Sequence, residues 1–373
     1  MATGDAIRFG IIGAVGRGSG FVRTLRAHPR AELVAMCDIQ EERLAQRAAE
    51  TGVELTFTDA EAMMDSGRVD AVIVGTPMPL HVPQSIMALE RGIHVLSEVP
   101  AAVSIEEARD LVMACKASSA TYMMAENYCY MRPNVIVRQI ARQGLFGEVY
   151  FGEGEYLHEL KGLNEVTVWR RRWQTGINGN TYPTHSLGPL LQWFEGQRVT
   201  SVMCTGTGHH YRDPRGDWYE QEDGTITLGR LSGGGLVRLR LDMLSNRPHN
   251  MTYYSLQGTD GCYEAARGLG DQPKIWLRES SPEKVSWQPL EELAERFLPE
   301  EWLRPPDDAL QAGHGGGDWW ELQDFIAAIS EGAPPPIGIH QAMDMTLPGL
   351  VSQISIAQGG TWVAVPDSRT WQG

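Results

Sequence analysis

The 373-residue chain carries a formal net charge of -15, with 21% charged and 42% hydrophobic residues. That length accommodates two domains with separate cores, and the acidity argues against nucleic acid, whose phosphates need a basic partner surface. Five cysteines (Cys37, Cys115, Cys129, Cys204, Cys262) are scattered without close pairs, against a disulfide framework or zinc site; no apolar run reaches the roughly 20 residues that span a bilayer, so a cytoplasmic protein without membrane or metal is expected.

From Ile7 to about residue 150, strand and helix patterns alternate. Strands are expected at 7–12, 32–37, 71–75, 94–96 and 121–124, with helices at 21–27, 41–51, 81–91 and 105–117 between them. This alternation predicts a doubly wound parallel sheet. Segments 148–158, 225–228, 236–243 and 253–257 instead alternate apolar and polar residues, the pattern of antiparallel strands with one wet face. The expected organisation is a dinucleotide-binding α/β domain at 1–130, an α+β domain on an open, mainly antiparallel sheet at 131–345, and a segment at 346–373 packing back on the body. An amphipathic helix is expected at 318–330, with the prolines at 334–336 turning the chain toward a last helix.

The first strand runs into Gly13-Ala14-Val15-Gly16-Arg17-Gly18-Ser19-Gly20. A glycine-rich turn between strand and helix lets backbone N–H groups approach a pyrophosphate at the helix N-terminus. Gly13 and Gly18 fit the first and third places of Gly-x-Gly-x-x-Gly, while Val15 occupies the second. Asp38 ends the second strand, where a carboxylate accepts hydrogen bonds from ribose hydroxyls and repels a 2′-phosphate, favouring NAD over NADP. Gly13, Val15, Gly16, Arg17, Gly18 and Asp38 are therefore cofactor candidates. Thr76-Pro77 with His81, and Glu98-Val99-Pro100, follow later strands, and ligands of open parallel sheets sit at such carboxyl ends.

The second half contains Asn178-Gly179-Asn180-Thr181-Tyr182-Pro183-Thr184-His185-Ser186-Leu187-Gly188-Pro189, followed by apolar Leu190, Leu191, Trp193 and Phe194. A helix opening near Ser186 places Tyr182 before its first turn and His185 at its mouth.

These residues resemble the Gfo/Idh/MocA family over nearly the whole chain: the glycine turn, Thr76-Pro77 with His81, Glu98 with Pro100, and Glu126-Asn127. Val99 stands where most dehydrogenases of that family carry a lysine that assists at the substrate hydroxyl. A narrower resemblance is to the NAD-dependent glycosidases of glycoside hydrolase family 109. It rests on Glu98-Val99-Pro100, Glu126-Asn127-Tyr128-Cys129-Tyr130, Gly147-Glu148-Val149, Tyr156-Leu157-His158-Glu159-Leu160, Trp169-Arg170 and the Tyr-Pro-Thr-His block.

The resemblance implies NAD-assisted oxidation at C3 of a sugar, loss of the C2 proton with elimination of the aglycone from C1, water addition, and reduction at C3. No pair of catalytic carboxylates is needed. By position, Tyr182 is the base at C2, His185 acts at the C3 hydroxyl, and Asn127 joins Glu98 beside the cofactor. Glu98, Tyr128, His158, His249 and His314 are expected toward the substrate, a small-molecule glycoside. His249, in Asn246-Arg247-Pro248-His249-Asn250, stands where the family carries a tyrosine, with Tyr253 and Tyr254 close by, which leaves the acid for the leaving group open. Trp169, Arg170, Arg171, Arg172 and Trp173 form a basic aromatic patch. It reads either as a solvated strand or loop edge, or as stacking tryptophans with arginines that clamp an anionic substituent. His209-His210 lacks the spaced partners of a metal site. Alternatives to the hydrolase are a sugar 3-dehydrogenase, a lyase that stops partway, and a non-catalytic NAD- and sugar-binding regulator. An open sheet with an exposed face makes a homo-oligomer the expected assembly.

Overall fold

Six short apolar segments build one parallel sheet: β1 (Ile7–Ile12), β2 (Ala31–Cys37), β3 (Leu55–Phe57), β4 (Ala71–Val74), β5 (His94–Ser97) and β6 (Tyr122–Met124). Their order is β3-β2-β1-β4-β5-β6, with the topological switch between β1 and β4. The computed structural model describes residues 6–372 except 249, 282, 284 and 285. β3 was not expected, because three residues are too few to show a period. Helices α1 (Val22–Ala27), α2 (Glu41–Thr51), α3 (Ala60–Asp65), α4 (His81–Glu90) and α5 (Ile105–Ala117) connect the strands. Phe9, Ile11, Val72, Ile73, Val95 and Leu96 are fully buried, as strands covered on both faces require.

The chain forms two compact units, residues 1–130 with 305–343 and 368–373, and residues 131–304 with 344–367. Segment 305–343, expected with the second domain, belongs to the first. Its helix Gly317–Glu331 buries Leu322, Phe325 and Ile326, and Phe325 meets Phe9 of β1 edge-on at 6.2 Å. Segment 346–373 likewise divides, with only 368–373 in the first unit.

In the second unit, β7 (Val149–Leu157), β8 (Val199–Gly206), β9 (Gly224–Leu231), β10 (Leu236–Asp242), β11 (Met251–Gly258), β12 (Gly261–Glu264), β13 (Lys274–Leu277), β14 (Gln288–Pro289) and β15 (Val363–Ala364) form one sheet. The order is β14-β13-β12-β11-β7-β10-β9-β8-β15. Central β7 pairs antiparallel with β11 but parallel with β10, so 148–158 and 236–243 do not pair antiparallel. The reason is the long excursion between them, since a parallel neighbour needs a crossover. That excursion holds α7 (Lys161–Val166), α8 (Trp169–Trp173) and α9 (Thr184–Trp193), while α6 (Arg132–Arg142) precedes β7. α9 lies on β7 so closely that a Cβ on Gly152 would stand 2.9 Å from Phe194 Cε2, and one on Gly154 1.9 Å from the Ser186 carbonyl oxygen.

Candidate functional site

The glycine turn in the first unit is shaped by backbone proximity. Gly13 has φ +84°, and a Cβ there would lie 2.5 Å from the Gly75 carbonyl oxygen; a Cβ on Gly18 would meet Ile11 Cγ2 at 2.6 Å. No L side chain fits either place. At Gly16 the nearest atom to a Cβ is 3.7 Å away, so the turn is open there. Asp38 Oδ2 accepts the Val15 N–H (3.1 Å) and Oδ1 the Gln40 N–H (3.0 Å). This leaves lone pairs for ribose hydroxyls on a carboxylate fixed against the turn. These residues fit a dinucleotide.

Other expected cofactor residues make hydrogen bonds within the protein. The His81 ring bridges the Thr76 and Pro100 carbonyls, both at 2.9 Å, and is 1% exposed. It ties two strand-end loops together without offering a ring nitrogen to a ligand. Thr76 Oγ1 donates to Gln84 Oε1 at 2.7 Å, beside Pro77, and Val99–Pro100 is a cis peptide. The Arg17 guanidinium is engaged by Glu98 and Asp318. Asn127 Nδ2 donates to Asp318 Oδ1 at 3.0 Å, and the His314 ring packs 6.0 Å from that of Tyr128.

The second unit gathers the expected reactive groups. α9 begins at Thr184, two residues earlier than expected, so His185 sits within its first turn and Tyr182 just before it. The Asn-Gly-Asn segment ahead of it is held by hydrogen bonds to neighbouring loops and helices. Asn178 Nδ2 donates to Glu222 Oε1 (3.1 Å), Gln221 Nε2 to the Gly179 carbonyl (3.0 Å), Thr181 Oγ1 to the Gln174 carbonyl (3.0 Å), and Ser352 Oγ accepts the Asn180 N–H (2.8 Å). Tyr182 and His185 rings meet edge-on at 5.0 Å. The Tyr254 hydroxyl donates to the His185 carbonyl, fixing the imidazole from behind.

Tyr156 of β7, which the sequence reading did not assign, is the centre of this group. Its ring lies 5.4 Å from that of Tyr182 and 5.1 Å from that of His185, and its hydroxyl is 2.9 Å from His158 Nδ1. Tyr156 lies in β7 and His158 one residue beyond its end, two apart in an extended run, so both face the same side; that spacing was the available signal. The cluster rests on buried Leu160, Leu241 and Met243, with Leu163 and Met251 against it. Two phenols and two imidazoles on an apolar floor form an array that can move protons at adjacent carbons of one small molecule.

The basic aromatic patch is a short helix, α8, not a strand or loop edge. Arg171 is withdrawn, its Nε 3.5 Å from buried Asp213 Oδ2 and its Nη2 donating to the Trp218 carbonyl at 3.2 Å. Arg170 lies over Trp169 (4.5 Å) with Nη1 donating to Gln174, and exposed Arg172 lies over Trp173 (5.4 Å). His249 lies outside the described residues. Of its neighbours, Tyr254 is committed to His185, and Tyr253 lies beneath the Arg267 guanidinium at 3.3 Å. Among the described residues no group of three or more His, Cys, Asp or Glu could hold a metal, and no helix is long and apolar enough to cross a membrane.

Residues 130–371 match the family model described as glycosyl hydrolase 109, C-terminal domain. The chain belongs to glycosyl hydrolase family 109. Residues 7–126 match the Gfo/Idh/MocA oxidoreductase family, NAD-binding Rossmann fold, so the first unit is an NAD-binding domain and the chain is an enzyme of that oxidoreductase type. Glycosyl hydrolase family 109 proteins of Saccharopolyspora erythraea and Streptomyces filamentosus are 30% and 31% identical, over 97% of this chain and 83% and 77% of theirs. Among solved structures, a levoglucosan dehydrogenase in complex with NADH and levoglucosan aligns with TM-score 0.79 and 20% identity, over 97% of this chain and 100% of that one. The WlbA dehydrogenase from Bordetella pertussis, in complex with NADH and UDP-GlcNAcA, aligns with TM-score 0.77 and 21% identity, over 98% and 99%. These two share the fold with this family 109 member.

Proposed function

We propose that the chain is an NAD-dependent glycoside hydrolase working by oxidation at C3, elimination across C1 and C2, water addition and reduction at C3. The observation that carries this reading is the Tyr156–His158–Tyr182–His185 cluster in a chain whose other unit binds NAD. When bound, NAD+ supplies the oxidation at C3 and its reversal, and the ketone makes the neighbouring C2 hydrogen acidic. Tyr182 removes that proton as the C1–oxygen bond to the aglycone breaks, exchanges it with solvent, and delivers a solvent-derived proton to C2 when water adds at C1. His185, held through its carbonyl by Tyr254, receives and returns the proton of the C3 hydroxyl. The Gly13–Gly18 turn and Asp38 hold the dinucleotide.

A second assignment exchanges the phenols: the Tyr156 hydroxyl lies 2.9 Å from His158 Nδ1, an imidazole that can take up its proton, which suits a base. The substrate we favour bears an anionic group. Arg170 and Arg172 beside Trp169 and Trp173 supply charge and stacking surface in an otherwise acidic chain, with Arg171 already neutralised by Asp213. We also propose a homo-oligomer, since Tyr150 of β7 and Trp287, just before β14, stand 47% and 44% exposed, and light scattering of the purified protein tests it.

The test of the activity is incubation with aryl glycosides, with and without added NAD+, following aglycone and reduced cofactor together. Aglycone release without net NADH supports the hydrolase. NADH accumulating in step with substrate consumed overturns it in favour of a 3-dehydrogenase. Tyr182→Phe and Tyr156→Phe assign the base, because only the base variant loses exchange at C2 while keeping NAD+ binding.

A further inference from the structure

Arg17 is the cation of the glycine turn, yet it is turned into the protein. Its Nη1 and Nη2 donate to Asp318 Oδ2 and Oδ1, both at 2.8 Å, while Nε lies 2.7 Å from Glu98 Oε1. Asp318 Oδ1 also accepts from Asn127 Nδ2 and faces His314 Nδ1, each at 3.0 Å. Asp318 is 1% and Glu98 7% exposed. Burial opposes ionisation of Asp318, but the His314 hydrogen bond and the Arg17 charge outweigh it and hold the carboxyl below the usual range. Glu321, one turn along the same helix, is fully buried with neither carboxyl oxygen hydrogen-bonded, and burial, then the charges of Asp318 and Glu98, push it well above that range. The charged and titratable groups facing this cluster are Arg17 of the turn, Glu98 after β5, Glu126 after β6, and His314, Asp318 and Glu321.

One guanidinium shared by two buried carboxylates has little net charge left for a phosphate. Its planar fork instead fixes the carboxylates in place. Glu98 directly follows β5, on the far side of the β1/β4 switch from Asp38, which directly follows β2, and a dinucleotide bridges such a switch with one nucleotide on each side. We propose that Arg17 is a positioning residue: anchored on Asp318, it holds Glu98 oriented toward the carboxamide donors of the nicotinamide, and does not clamp the pyrophosphate. This rests on NAD binding by the first unit, not on the hydrolase reading.

The experiment is calorimetric titration of the full-length protein with NAD+ and with ADP-ribose, which lacks the nicotinamide. Arg17→Lys keeps the charge and loses the fork. It weakens NAD+ about tenfold, the size of one charge-assisted hydrogen bond, and ADP-ribose less than threefold. Glu98→Gln gives the same selective loss, and the double variant is no weaker than either single one, since coupled residues are not additive. Equal losses for NAD+ and ADP-ribose, unchanged NAD+ binding in Arg17→Lys, or multiplying losses in the double variant each overturn the proposal. Should Arg17→Lys fail to fold, Glu98→Gln must still discriminate NAD+ from ADP-ribose, and equal loss there refutes it. Retained ADP-ribose binding shows throughout that the cofactor site is intact.

Discussion

Replacing Gly154 by alanine attacks the placement of the groups proposed to transfer protons without touching any of them. The new methyl would lie 1.9 Å from the Ser186 carbonyl oxygen, about 1.5 Å short of the onset of ordinary contact. Both sides of that clash are backbone, so α9 must move off β7 and carry His185 with it, away from Tyr156 and His158. Overpacking of this kind costs about 1–3 kcal/mol, and rigid backbone on both sides puts Gly154→Ala near 3 kcal/mol. For a unit of this size that lowers the melting temperature by roughly 6–12 °C. Displacing reacting groups by about 1 Å costs on the order of 100-fold in rate. Differential scanning fluorimetry and aglycone release read the two effects, and NAD+ affinity by titration stays at the wild-type value, because the residues that hold the dinucleotide belong to the other unit. Gly162→Ala, where a Cβ meets nothing within 4 Å, is the control and leaves the rate unchanged. Full activity with an unchanged melting temperature in Gly154→Ala would refute the account of how α9 is seated.

Glu321→Gln tests the buried neutral acid. A carboxyl whose folded pKa is raised contributes stability that is complete below the unfolded pKa of about 4.3 and is lost as pH rises toward the folded value. The wild type therefore falls relative to Glu321→Gln by about 1.4 kcal/mol per pH unit above that point. Denaturant titrations across pH 4 to 7 measure the gap, and parallel curves contradict it. In the arginine patch, Arg172→Ala leaves stability within about 0.5 kcal/mol, as exposed positions do. It slows an anionic glycoside about tenfold more than its neutral counterpart, the size of one ion pair at a binding site. Arg171→Ala, which strips buried Asp213 of a partner, lowers the melting temperature and slows both substrates alike; identical substrate profiles for the two variants would end the charge-clamp reading.

The parallel sheet was legible because β4 is an uninterrupted apolar run and β1 and β5 are largely apolar, each followed by glycine or turn residues, with Asp38 directly after β2. β3 and the parallel β7–β10 pair were not, one being too short to show a period and the other depending on which strands meet across a long excursion. Tyr182 and His185 stood out because Gly and Pro punctuate their block. Tyr156 was hidden inside an ordinary strand alternation, where a catalytic phenol and a core tyrosine look the same. Arg17 stood out for its place in the glycine turn, but its pairing with Asp318, 301 residues away in sequence, left no local trace.

The most direct test of the proposed chemistry is turnover of an aryl glycoside in deuterated water, with mass or NMR analysis of the released sugar. The account predicts deuterium at C2 together with aglycone release and no net NADH. Released sugar carrying only its original C2 hydrogen would contradict the elimination step on which the functional proposal depends.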